Sequence, residues 1–148
     1  MKRFKKGIAL LLALSTMFAI CISASATEIN LVESDSKTAD VGTTATIKGE
    51  LWTYNTVDNG VSWMEPTAKT IVSSSKTMAQ VTVDLECQYQ DTGKLVSSNA
   101  EGFKSANNRN TVKVDLRFSV PRSAPVIAYT AHEATYSRSD VLYMSSRL

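Results

Sequence analysis

The chain has 148 residues, with 16 basic against 14 acidic, a hydrophobic share of 43% and two cysteines. That length suits one domain. The interspersed charges exclude the dense basic face of a nucleic-acid binder, and two cysteines are too few for a disulfide-stapled scaffold.

Residues 1–26 read as an export signal preceding the fold. Lys2, Arg3, Lys5 and Lys6 make a basic start, Ile8 to Ile22 is a nearly unbroken apolar run, and Ala24-Ser25-Ala26 supplies the small residues of a cleavage site. The competing reading, a membrane anchor, needs about 20 apolar residues, whereas the run has 15. Lipid attachment at Cys21 calls for a small residue before it, and Ile20 stands there. Cleavage of this helical signal after Ala26 is therefore expected, leaving residues 27–148 as a single secreted domain with no membrane span. The mature part carries 12 basic and 14 acidic residues, a formal charge of −2, and keeps Cys87 alone, so no internal disulfide can form.

Glu28 to Glu33 reads as an edge strand, and Thr44 to Tyr54 as the next strand. Asp58-Asn59-Gly60 is a hairpin turn leading to Val61-Ser62-Trp63-Met64, which Pro66 ends. Lys69 to Ser73 predicts another short strand. From Ala79 to Gln90 every position obeys period two: Ala79, Val81, Val83, Leu85, Cys87 and Tyr89 share one face, and polar residues the other. That is the pattern of a half-buried antiparallel strand. Asp91-Thr92-Gly93-Lys94 is a turn, Leu95-Val96-Ser97 a short returning strand, and Ser98 to Asn110 a loop broken by Gly102 and by Asn107-Asn108-Arg109-Asn110. Asn110 to Val120 alternates again, with Val112, Val114, Leu116, Phe118 and Val120 inward. Beyond Pro121 and Pro125, Val126 to Thr135 and Asp140 to Met144 form a final pair. About seven short strands and no helical period predict an all-β antiparallel sandwich, with a small barrel as the alternative.

In the strand from Thr44, Ala45, Ile47 and Leu51 share a face, which puts Lys48, Glu50, Trp52 and Tyr54 on the other. Aromatics beside charges on a solvent face make a stacking platform for sugar rings or bases, and Trp63, across the turn, would join it. The competing readings are a bulge at Gly49 that turns Trp52 inward, or a sheet buried on both faces. Cys87, among aliphatics, reads as a buried inert thiol. His132, the single histidine, reads as an ordinary strand residue; one histidine and one cysteine do not make a zinc site. Asp84 and Glu86 share a face about 7 Å apart by the strand rise. That spacing suits glycoside hydrolysis or, with Asp115, calcium. A solvated face on which they pair with Lys113 and Arg117 across strands is the plainer reading.

The residues therefore point to a secreted, non-enzymatic binding module acting in the medium or at the cell surface. Its expected partner is a glycan or protein of the cell envelope or extracellular space, with no nucleic acid, metal or cofactor; edge strands leave pairing between copies open. The alternative is a secreted effector or antimicrobial protein of the size and strand content of the small β-sandwich bacteriocins. A hydrolase using Asp84 and Glu86 is a third.

Overall fold

The computed structural model describes residues 28–121 and 123–148, so the expected signal lies outside the described residues. Ten strands and no helix make up the described part: β1 (Glu28–Asp40), β2 (Thr44–Asp58), β3 (Val61–Met64), β4 (Thr67–Ser74), β5 (Gln80–Tyr89), β6 (Glu101–Asn107), β7 (Thr111–Asp115), β8 (Phe118–Ser119), β9 (Val126–Thr135) and β10 (Ser139–Arg147). Among these residues no helix is long and apolar enough to cross a membrane.

They form two antiparallel sheets, consistent with a β-sandwich. In the first, β1 and β4 flank β2, β3 continues the lane of β4 along β2, and β7 and β8 form the next lane outward. The second runs β10-β9-β5-β6. Alternation decides what each sheet buries. Ile47, Leu51, Ala68, Val72, Val112 and Val114 of the first sheet face Val81, Val83, Leu85, Cys87 and Val126 of the second. The Asp58-Asn59-Gly60 hairpin forms as its residues dictate, with φ of 50° at Asn59 and 77° at Gly60, the left-handed pair that matches strand twist.

Several expectations need correction. There are ten strands where about seven were expected; β6 was not among those expected, and the single run Asn110 to Val120 is divided into β7 and β8. Asn110 to Val120 keeps its alternation, yet its ladder stops at Asp115 and resumes at Phe118. Leu95-Val96-Ser97 is no strand; a single bridge joins Leu95 to Gln88. The expected loop Ser98 to Asn110 instead contains β6, paired with β5 from Glu86↔Glu101 to Gln80↔Asn107. Its inward positions are Gly102, Lys104 and Ala106, so it lacks an apolar stripe. Gly102 is required there, because a Cβ would stand 2.7 Å from Leu116 Cδ2 and 2.9 Å from Val114 Cγ2.

The sheets are also joined by polar contacts. His132 of β9 is fully buried in the interior; its Nδ1 lies 2.9 Å from Thr70 Oγ1 and its Nε2 2.9 Å from Thr130 Oγ1. Thr70 donates its one hydroxyl hydrogen to the Thr82 carbonyl at 2.8 Å. Its oxygen must then accept from Nδ1–H, which leaves Nε2 to accept from Thr130. Burial pushes the imidazole pKa down to about 4. Gly49 of β2 makes the room: a Cβ there would come within 2.4 Å of Met144 Sδ and 2.6 Å of His132 Cδ2. Gly49 is thus a point of close approach, and β2 pairs without interruption through it. At the sandwich edge, Lys37 of β1 reaches across to Asp140 of β10 at 2.6 Å.

Candidate functional site

Trp52 and Tyr54 project from the outer face of the first sheet, as the period of β2 requires, while Leu51 and Thr53 point inward. Both rings are half-buried. They line a cleft of about 460 Å³ together with Thr67, Glu65 and Asp115, with Ile29 at one side and Thr53 and Leu116 among its lining. The bulge feared at Gly49 is absent; the irregularity sits in the neighbouring strand, where Leu31 pairs with Trp52 and Glu33 already pairs with Leu51.

The cleft lies where the first sheet is discontinuous. On β2 the pairs with β4 end at Trp52↔Thr67 and those with β3 begin at Asn55↔Met64. Between them stand Glu65 and Pro66, and Pro66 has no N–H for a ladder. One lane further out, Leu116 and Arg117 separate β7 from β8. The bulge in β1 falls at the same level. Two backbone bonds still hold the gap, Glu65 N–H to the Tyr54 carbonyl at 2.7 Å and Leu116 N–H to the Pro66 carbonyl at 3.0 Å.

Ionic and polar contacts surround it. Arg117 Nε contacts Glu65 at 3.1 Å, Lys113 contacts Asp115 at 2.9 Å, and Thr67 donates to Asp115 at 2.7 Å. Trp52 Nε1–H points to Glu50 at 3.4 Å, and Lys48, bonded to Glu50 at 2.7 Å, holds that carboxyl below its usual range. Trp63 shares the outer face through its pairing with Thr56 but does not line the cleft. The Arg117 guanidinium sits 4.9 Å from its ring centroid and so covers one face. Of the three expected aromatics, two come together and the third is capped.

The other candidates fall apart or go quiet. Asp84 and Glu86 lie on the outer face of the second sheet, whereas Lys113, Arg117 and Asp115 belong to the first. The expected cross-strand pairing therefore does not occur, and the calcium set is not assembled. Among the described residues no three His, Cys, Asp or Glu side chains are grouped to hold a metal. Cys87 is fully buried, and burial, with Glu86 adding to it, pushes its thiol up to about 12, far from a nucleophile's range.

Sequence reasoning missed Thr53, whose buried Oγ1 has no hydrogen-bond partner. It also passed over Phe103, Tyr129 and Tyr143, which stand on the outer face of the second sheet at 62%, 43% and 76% exposure. A wider depression of about 630 Å³ at the β2–β3 hairpin, lined by residues such as Val57, Val61 and Pro121, carries neither aromatic nor charged side chains. Compared with protein-family models, curated proteins and solved structures, the chain matches none.

Proposed function

We propose that the chain is a secreted, non-enzymatic binding module that holds a neutral glycan in the cleft beside Trp52 and Tyr54. The observation that carries this reading is two half-buried aromatics beside hydroxyl and carboxylate acceptors in one recess. Aromatic faces take the apolar side of a pyranose, and acceptors take its hydroxyls. Glu65 and Asp115 are each engaged by a cation, which suits holding a ligand better than moving a proton. Export rests on the basic start, the apolar run and Ala24-Ser25-Ala26.

Tryptophan fluorescence titration of the mature protein with soluble β-glucan and other neutral polysaccharides tests this. Saturable quenching is expected, unchanged by Tyr143→Ser on the opposite sheet; because Trp52→Ala removes the reporter, its affinity is read by calorimetry and is expected to fall about tenfold or more, the scale of one aromatic contact. Quenching by none of them, or wild-type affinity in Trp52→Ala, would overturn it.

A further inference from the structure

We propose that the outer face of the second sheet is a docking surface for an arginine-rich segment of a partner protein. It is independent of the glycan reading, which concerns the other sheet.

The register places the residues. Phe103 of β6 pairs with Asp84 of β5, Asp84 with Ala131 of β9, and Ala131 with Tyr143 of β10. In the adjacent outward row Glu101 pairs with Glu86, and Glu86 with Tyr129. Three rings and three carboxylates thus share two rows, each about 14 Å across from β6 to β10 by the spacing of strands. All three rings are exposed, Tyr143 at 76%. Such apolar surface is unfavourable in water and marks a place where something else packs.

The carboxylates decide what that is. On the outer face of the first sheet Glu50, Glu65 and Asp115 each have a cation, in Lys48, Arg117 and Lys113. On the second sheet Asp84, Glu86, Glu101 and Glu133 have no ion-pair partner among the described residues. Glu86 and Glu133 accept hydrogen bonds only from the neutral Gln88 and Thr82. Glu86 also faces Glu101 directly across the ladder, where like charges are destabilising. Arg147 is the one basic residue at an outward position of these four strands; it stands in the last row and bonds Gln90.

A cationic segment relieves that repulsion when it binds. No three of the carboxylates are grouped to share a metal ion. Arginine suits the face better than lysine, because a planar guanidinium stacks on a ring while forking to a carboxylate. Phe103 opposite Asp84, and Tyr129 opposite Glu86, each offer one guanidinium both contacts.

The test titrates fluorescein-labelled hexa-arginine, hexalysine and hexaglutamate against the mature protein at about 0.15 M salt, where diffuse attraction is largely screened. Hexa-arginine is expected to bind about threefold or more tighter than hexalysine, and hexaglutamate not at all. Phe103→Ser, which changes no charge, should weaken hexa-arginine about two- to fivefold. Asp84→Asn with Glu86→Gln should weaken it about fivefold or more, without lowering the midpoint of thermal unfolding. Asp35→Asn with Asp58→Asn, the same charge change made on the first sheet, should leave the affinity within about twofold. Equal binding of hexa-arginine and hexalysine, or wild-type affinity in Phe103→Ser, would reduce the face to diffuse charge attraction and overturn the proposal. Equal losses from the two double substitutions, or no binding of hexa-arginine, would overturn it as well.

Discussion

Gly49 and Thr53 stand four residues apart on the same face of β2, and the core treats them oppositely. Over Gly49 the interior is closed: His132 fills the space a side chain would occupy, and every hydroxyl and ring nitrogen around it has a partner. At Thr53, beside the place where β2 changes partner from β4 to β3, the buried hydroxyl has none. Both are polar spots in an apolar layer, so polarity alone does not separate scaffold from site. The two positions differ in the completeness of their hydrogen bonding. A satisfied network rigidifies a core, whereas an unsatisfied group is destabilising.

Acid should break this contrast most strongly. His132 is neutral in the fold with its pKa pushed from 6.5 down to about 4 by burial. Below pH 6.5 the unfolded chain therefore takes up a proton that the folded chain refuses. Stability is expected to fall as pH drops from about 6.5 to about 4 and to level off below, a loss of about 3 kcal/mol. Urea unfolding across that window measures it, and His132→Gln should flatten the profile. A wild-type profile already flat there would mean that the imidazole can be charged in place.

Filling the closed end comes next. Gly49→Ala is expected to cost about 2–3 kcal/mol through overpacking against Met144 and His132, read as a lower urea midpoint with unchanged slope. The sharpest comparison uses one substitution twice. Thr70→Val strands the His132 N–H and the Thr82 carbonyl and should cost about 1–2 kcal/mol. Thr53→Val removes a hydroxyl that bonds nothing and should cost nothing. Equal losses at the two positions would erase the distinction.

The strands that could be read directly are those whose burial is decided along the chain itself. Val81, Val83, Leu85 and Cys87 alternate because one side of β5 is wholly apolar interior, and Val126–Thr135 was expected with the bounds it has. Strand β6 escaped because Gly102 has to be small beneath Val114 and Leu116 and Lys104 on the same side is exposed, so a Gly-Lys-Ala sequence signals no face. The outward aim of Trp52 and Tyr54 follows from period two. The capping of Trp63 by Arg117 does not, since those residues are 54 positions apart in the chain. Thr53 was silent for the same reason: whether a hydroxyl finds a partner depends on lanes that meet only after folding.

The bulge at Val32–Glu33 has a consequence at the rim of the molecule. β1 is 13 residues long and, among the described residues, pairs on one side only, with β2, which leaves on its other side the kind of template on which strands from other molecules accrete. Because the register shifts between Leu31 and Glu33, a straight strand laid along that row can stay in step with Glu28–Leu31 or with Glu33–Asp40, but not with both. The kink that helps open a cleft on the face of the sheet thus also shortens the stretch along which its edge can recruit a stranger.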